Sequence, residues 1–348
     1  MRIRWLAVSI AISIVLGAGL TSSALGQNAP KIVMEEFTVP AKDAGIELYV
    51  RNKRPADMTR FSPERTVLFV HGATYPAETS FDLQVGGQSW MDSIAARGFD
   101  VYLVDVRGYG KSTRPKEMSE PAEANGPIVN TEVAIRDVGA GVDFILKRHA
   151  IPRLNLIGWS WGTTIMAGYT ADNPGKVQRL ALYAPVWIGD PVVQNVPKFG
   201  AYRTVQRQAA FERWLRGVPE DKKASLIPTG WFDAWWNATI TSDPVGAAQN
   251  PQVLRAPNGV LHDFFNFWAS GKALYDPAKI TVPTILIVAE WDQDTKPYMA
   301  QNLFPLLKSA PRKRLVLVGE GTHTLMLEKN RMELIRAVQD FFEEEGTR

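Results

Sequence analysis

The hydrophobic positions of the chain fall into short, nearly continuous apolar runs, separated by longer stretches of mixed polarity. The six runs richest in branched and aromatic residues lie at residues 66–72, 101–108, 154–160, 179–187, 284–290 and 314–320. Continuous apolar runs of this length are typical of strands that are buried on both faces of a sheet. A further run at residues 46–52 predicts an antiparallel strand near the start of the sheet.

Amphipathic stretches separate these runs. In Thr131–Lys147 and Arg331–Phe342, apolar residues recur mostly at the three- and four-residue spacings of a helix with one buried face. Alternation of strands and helices along a chain favours a parallel sheet with helices on both sides. The pattern therefore predicts an α/β fold with a mostly parallel, doubly wound sheet.

One long region departs from this alternation. Residues 188–278 contain no strand-like run and are dense in proline, glycine and aromatic residues. A stretch of roughly 90 residues is too long to be a simple connection between two strands. We predict a helical cap here, inserted between two late strands of a core formed by residues 27–187 and 279–348.

The first segment has the pattern of a targeting signal. Arg2 and Arg4 precede an apolar run at Leu6–Leu20, and small residues follow at Ala24 and Gly26. This order is typical of a secretory signal peptide, so residues 1–26 are predicted to be cleaved. The alternative is an uncleaved membrane anchor, because the run is only slightly short for a span. Either reading predicts export, and cleavage would leave the protein in the periplasm or outside the cell without a stable membrane insertion.

Composition narrows the possible partners. The chain is 45% hydrophobic and 22% charged, which is typical of a globular protein and excludes a disordered one. The net charge of +3 and the absence of a basic cluster give no reason to expect a nucleic acid partner. The chain has no cysteine, which excludes disulfides, thiolate metal sites and a cysteine nucleophile.

A candidate nucleophile lies between a buried run and a helical stretch. Gly158 to Gly162 have the pattern G-x-S-x-G around Ser160. A sharp turn from strand to helix exposes such a serine at the edge of the sheet, and the flanking glycines leave room for the turn. The following helix N-terminus favours a developing oxyanion nearby. Ser160 is therefore the predicted nucleophile.

A serine hydroxyl needs a base, and the base needs an orienting acid. Of the four histidines, His323 alone follows the last predicted strand, so it is the predicted base. Asp292 follows the preceding strand and is the predicted acid, with Asp294 as the alternative and Asp190 as a third possibility. No metal site is predicted.

The remaining candidates surround the nucleophile. The loop after the first core strand supplies the backbone N–H of Ala73 as one oxyanion donor, with Thr74 as the fallback and Trp161 as the partner donor. Tyr75, Trp159 and Trp291 are candidate pocket residues. Six of the 11 tryptophans lie within residues 187–280, which predicts either a hydrophobic or aromatic substrate group or simple packing of the cap.

With these motifs in view, the chain resembles the α/β-hydrolase superfamily. The motifs that carry the resemblance are HGA at 71–73, DVRGYGKS at 105–112, GWSWG at 158–162, EWDQDTKP at 290–297 and GTHT at 321–324. The resemblance implies a Ser-His-Asp hydrolase without a cofactor that acts on esters or related acyl bonds. Family members with dehalogenase or epoxide hydrolase activity carry aspartate where this chain has Ser160, which argues against both activities.

We therefore expect an exported serine hydrolase that cleaves small-molecule carboxylic esters. One alternative is an aminopeptidase similar to proline iminopeptidases, whose GGSWG resembles GWSWG, although their HGGPG differs from HGATYP here. A second alternative is a carbon–carbon bond hydrolase acting on dienoic acids. A third is a catalytically silent hydrolase fold used for binding.

Overall fold

The computed structural model describes residues 30–189 and 196–344. The predicted signal peptide and Asp190 lie outside these residues. The strands are β1 (Ile32–Pro40), β2 (Glu47–Pro55), β3 (Thr66–Val70), β4 (Asp100–Val104), β5 (Leu154–Trp159), β6 (Val177–Tyr183), β7 (Tyr202–Val205), β8 (Leu254–Pro257), β9 (Thr284–Ala289) and β10 (Lys313–Val318). The helices are α1 (Ala77–Phe81), α2 (Trp90–Ala95), α3 (Thr131–His149), α4 (Trp161–Asp172), α5 (Arg207–Trp214), α6 (Lys223–Leu226), α7 (Trp231–Thr241), α8 (Pro244–Ala247), α9 (Gly259–Asn266), α10 (Pro297–Leu303) and α11 (Arg331–Glu343).

Eight strands form the main sheet in the order β1-β2-β4-β3-β5-β6-β9-β10. β1 and β2 pair antiparallel, as do β2 and β4, and the remaining neighbours are parallel. Every residue of β3, β4, β5 and β9 is buried, which is why these strands have continuous apolar sequences. The predicted α/β fold with a mostly parallel sheet is confirmed.

Helices cover both faces of this sheet. Leu68 and Val70 of β3 share a core with α3, α4 and α10, whereas Val67 and Phe69 pack in a second core with α1, α2 and α11. Successive side chains of a strand point to opposite faces, so one short strand contributes to both cores. The parallel strands therefore end together at one edge, where the loops after β3, β5, β9 and β10 meet.

Two strand predictions need correction. β1 was not predicted, because it is an edge strand in which partly buried and exposed residues alternate, and this gives a weaker signal than a continuous run. The predicted strand at 179–187 ends earlier, at Tyr183. Ala184 has a positive φ of 54° that turns the chain away from the sheet, so Trp187 lies in a loop.

The region between β6 and β9 contributes nothing to the main sheet, because β6 pairs directly with β9. Its described part contains α5 to α9, as the prediction of helices requires. It also contains a two-stranded antiparallel sheet of β7 and β8, which contradicts the expectation that no strand occurs here. These strands are only four residues long, too short to show a pattern. The boundaries of a separate cap domain stay a prediction.

No helix in the described ranges is long and apolar enough to span a membrane.

Candidate active site

Ser160 occupies the turn between β5 and α4. Its backbone has φ 55° and ψ −122°, a conformation that a side chain other than glycine rarely adopts. The turn is tight on both sides: a Cβ atom at Gly162 would lie 2.6 Å from the carbonyl oxygen of His71, and one at Gly158 would overlap the backbone of Gly162. The Ser160 N–H donates to the carbonyl of Tyr183 at 2.9 Å. Both glycines are therefore required by the packing of the turn.

Three side chains from separate loops form a continuous hydrogen-bonded chain. Nε2 of His323 lies 2.8 Å from Oγ of Ser160, and Nδ1 of the same ring lies 2.8 Å from Oδ2 of Asp292. All three residues are buried. The structure thus brings together the predicted nucleophile, base and acid at the carboxyl edge of the sheet.

The alternative acid has a different partner. Oδ1 of Asp292 accepts the backbone N–H groups of Asp294 and Thr295, each at 2.8 Å, and Oδ2 accepts the Thr295 hydroxyl at 2.8 Å. These donors hold the carboxyl group of Asp292 in a fixed orientation. The side chain of Asp294 instead pairs with Arg213 and Arg216. Asp292, and not Asp294, is in contact with His323.

The loop that carries His323 is fixed from both sides. The indole N–H of Trp159 and the hydroxyl of Tyr183 both donate to the carbonyl of His323, at 3.0 Å and 2.9 Å. These bonds hold the backbone at the base in one position. The imidazole therefore needs little reorganisation to remain between Ser160 and Asp292.

Glu328 supports the same loop and was not predicted from the sequence. Its carboxylate accepts the backbone N–H of Thr322 and the hydroxyl of Thr324, each at 3.0 Å, and also the hydroxyl of Thr322. Burial raises the pKa of Glu328 to about 7, although these hydrogen bonds act in the opposite direction. A single glutamate in a loop gives no sequence signal for such a role.

The loop after β3 is positioned by a buried histidine. Nε2 of His71 accepts a hydrogen bond from the N–H of Val106 at 3.1 Å, and Nδ1 lies 2.7 Å from the carbonyl oxygen of Gly72. A neutral ring with its proton on Nδ1 makes both hydrogen bonds. Burial lowers the pKa of His71 to about 4, which keeps the ring neutral. Within the described residues, the N–H groups of Ala73 and Trp161 donate no hydrogen bond, which leaves both available to a ligand.

A cavity of about 450 Å³, the catalytic cavity, opens beside Ser160. Its apolar lining residues, called the aromatic wall, are Trp161, Val186, Trp187, Val260, Leu261, Phe264, Phe265, Trp268 and Met299. Its charged lining residues, called the polar wall, are Arg203, Arg213, Arg216 and Asp294. The arginines were not anticipated, because the sequence gives no sign of how the insertion is placed over the sheet.

A second and much smaller cavity, of about 10 Å³, is lined by Ser160 and His323. The predicted pocket residues Tyr75 and Trp159 line it, together with Thr74, Arg213 and Trp214. Trp291 lines neither of these two cavities, so its role as a pocket residue stays a prediction. Neighbouring residues at a strand end point in different directions, and here it is Asp292 that points to the site.

The tryptophans of residues 187–280 have different surroundings. Trp187 and Trp268 line the catalytic cavity. Trp214, Trp235 and Trp236 contact one another in series, with ring centroids 4.6 Å and 6.2 Å apart, and Trp214 also lines the small cavity. Packing of the region therefore accounts for part of its tryptophan content, and a hydrophobic or aromatic substrate group stays a prediction. No group of three histidine, aspartate or glutamate side chains in the described part of the chain could hold a metal ion.

Comparison with known proteins shows the family to which this chain belongs. A family model for the alpha/beta hydrolase fold matches residues 65–330. Lipase member N of Homo sapiens is 28% identical over 42% of this chain and 37% of that protein, and bifunctional epoxide hydrolase 2 of Rattus norvegicus is 24% identical over 63% and 44%. The chain thus spans less than half the length of these curated relatives. A serine hydrolase structure from the polyaromatic hydrocarbon-degrading bacterium Cycloclasticus zankles has a TM-score of 0.59 at 12% identity, covering 89% of this chain and 98% of that one.

Proposed function

Because the chain belongs to the α/β hydrolase fold family, we propose that it is a serine hydrolase that cleaves carboxylic esters with hydrophobic or aromatic groups. The observation that carries this proposal is the unbroken chain of hydrogen bonds from Ser160 through His323 to Asp292, with both links at 2.8 Å. A serine in this setting can lose its proton at the moment of attack, which is what activates an otherwise weak nucleophile.

The proposed reaction proceeds in two halves. Nε2 of His323 takes the proton of Ser160 as Oγ attacks the ester carbonyl, while Asp292 stabilises the imidazolium that forms. The N–H groups of Ala73 and Trp161 donate to the oxyanion. The alcohol leaves with the proton held by His323, and a water molecule, activated by the same ring, releases the acid and restores Ser160.

The catalytic cavity supports the substrate class. Its volume of about 450 Å³ is typical of a site for a small organic molecule. The aromatic wall, which includes Trp187, Phe264 and Trp268, suits a flat apolar group and would exclude water around the reacting carbonyl.

The alternatives receive unequal support. An aminopeptidase would need a free carboxylate for the substrate's amino group, but Asp294 in the catalytic cavity is already paired with Arg213 and Arg216. Carbon–carbon bond hydrolysis is the second candidate, because the polar wall would attract the carboxylate of a dienoic acid. Ser160 also differs from the aspartate expected of an epoxide hydrolase.

Export belongs to the proposal as well. The pattern of residues 1–26 supports it, and N-terminal sequencing of the protein recovered from outside the cytoplasm tests it. A chain that begins after Gly26 is the expected result. Recovery only from the cytoplasm, with residues 1–26 intact, would refute export.

The activity itself is tested with 4-nitrophenyl esters of increasing acyl length and an aminoacyl 4-nitroanilide. We expect turnover of the esters, with a loss of at least about 10⁴-fold in kcat for Ser160→Ala. Ser93→Ala is the matched control, because the Ser93 hydroxyl only bonds the Ser89 carbonyl at 2.9 Å within α2. Turnover of the anilide alone, or full ester activity in Ser160→Ala, would overturn the proposal.

A further inference from the structure

Two residues that line the small cavity beside Ser160 carry buried hydrogen-bond donors with no acceptor. The hydroxyl of Tyr75 and the indole Nε1 of Trp214 are buried, and neither makes a hydrogen bond within the described structure. Both residues, like Ser160 itself, line the small cavity. Buried polar groups in folded proteins are nearly always paired, and exceptions at a site call for a ligand or another explanation.

Thr74 adds a third donor. Its Oγ1 accepts Nη2 of Arg203 at 2.9 Å and Nη1 of Arg213 at 3.4 Å. A hydroxyl whose lone pairs are engaged by two N–H groups has its own proton free to donate. Thr74 lines both cavities, so it stands between the small cavity and the catalytic cavity.

The polar wall carries more positive than negative charge, which also favours an anionic group. Three arginines line the catalytic cavity and one carboxylate opposes them: Asp294 accepts Nε of Arg213 at 2.7 Å and pairs with Arg216. Among the described residues, Arg203 donates only to neutral oxygens, including the carbonyl of Ala73 at 2.5 Å and that of Pro257 at 2.6 Å. Burial lowers the pKa of Arg203, but a guanidinium stays protonated in proteins. The wall therefore carries a net positive charge.

From these observations we propose that the polar wall and the adjoining donors of Tyr75, Thr74 and Trp214 bind a carboxylate of the substrate. The substrate class is then an ester with a free carboxylate on a flat apolar body, whose ring packs on the aromatic wall. This inference rests on the proposed esterase function and deepens it. A neutral acceptor could accept the hydrogen bonds of these donors, but it would leave the excess positive charge of Arg203, Arg213 and Arg216 without a counter-ion.

The test compares two methyl esters of similar size and shape, the anionic monomethyl terephthalate and the neutral methyl 4-acetylbenzoate, in which an acetyl group replaces the carboxylate. We expect the wild-type kcat/KM to favour the carboxylate ester by about 10- to 100-fold, the range that charged hydrogen bonds typically provide. Arg213→Gln and Tyr75→Phe are each expected to reduce this ratio about tenfold. The ratio within each variant is compared, so any general loss of activity cancels.

Tyr169→Phe is the matched control. Tyr169 is also a buried tyrosine whose hydroxyl makes no hydrogen bond in the described structure, but it lines neither cavity. Its removal is expected to leave the ratio unchanged. If the ratio falls equally in Tyr169→Phe and Tyr75→Phe, or stays unchanged in both Tyr75→Phe and Arg213→Gln, the carboxylate site is refuted.

Failure of the subsite and failure of the esterase are separate results. If 4-nitrophenyl acetate is cleaved in a Ser160-dependent way but the neutral ester is preferred over the carboxylate ester, only the subsite is wrong. If no ester is cleaved, calorimetric binding of the two methyl esters to Ser160→Ala decides the subsite. Tighter binding of monomethyl terephthalate supports it, and equal or weaker binding refutes it.

Discussion

Glu328 offers a test of how the loop of His323 is held, because its charge state should change close to neutral pH. The carboxyl is buried beneath the loop and bonds Thr322 and Thr324 on either side of His323. Burial raises its pKa from an ordinary value of 4.5 to about 7. The folded protein therefore binds this proton more tightly than the unfolded chain does.

The magnitude follows from the linkage between proton binding and folding. A rise of the pKa from 4.5 to about 7 corresponds to about 3 kcal/mol of stability. Because the folded-state pKa is raised, this stability is fully present below pH 4.5 and is lost as the pH rises through 7. Between pH 5 and pH 8 the contribution of Glu328 to the free energy of unfolding should fall by about 2 to 3 kcal/mol.

The assay is urea unfolding at pH 5, 6, 7 and 8 for the wild type, Glu328→Gln and Glu333→Gln. Glutamine does not titrate, so the stability difference between the wild type and Glu328→Gln should change by about 2 to 3 kcal/mol across this range. Glu333 is an exposed carboxylate on α11, and its variant should follow the wild type. A Glu328→Gln variant that keeps the full pH dependence of the wild type would refute the reasoning.

Three further changes give defined outcomes. Asp292→Asn is expected to lower kcat for ester hydrolysis by about 10⁴-fold, because the imidazole of His323 loses the acceptor that fixes its tautomer. Circular dichroism should show an intact fold. A loss under tenfold would contradict the role of Asp292 as the orienting acid. The folded-state pKa of His71 is lowered to about 4, so its contribution to stability is present above pH 6.5 and is lost as the pH falls through 4. His71→Gln should therefore reduce the loss of unfolding free energy that urea unfolding measures between pH 6.5 and pH 4. A loss as large as that of the wild type would contradict a neutral His71 ring. Gly162→Ala, whose Cβ would lie 2.6 Å from the His71 carbonyl, should cost at least about 2 kcal/mol of unfolding free energy, and a stable, active variant would disprove the tight turn.

The strands that the sequence predicts well are those whose environment leaves a strong pattern. β3, β5 and β9 are buried on both faces, and nothing but a continuous apolar run satisfies that environment. β1 is half exposed at the sheet edge, and the two strands of the insertion are four residues long. The two strands of the insertion stabilise each other by pairing, although they lie far apart in the sequence.

Some residues of the site could likewise be predicted from the sequence, and others could not. Ser160, His323 and Asp292 follow predicted strands in a fixed order, and parallel strands bring their carboxyl ends together, so topology alone places these side chains near one another. Arg203 and Arg213 belong to the insertion, and their distance from Ser160 depends on how that insertion packs over the sheet. Glu328 acts through hydrogen bonds to loop threonines, which no spacing in the sequence indicates.

The most direct test of the central claim is the reaction of the protein with a fluorophosphonate, followed by peptide mass spectrometry. Our account predicts one stoichiometric adduct on Ser160, formed quickly in the wild type and at least about 10³-fold more slowly in His323→Ala, because the hydroxyl then lacks its base. An adduct on another residue, or labelling of Ser160 at the same rate without His323, would contradict the account.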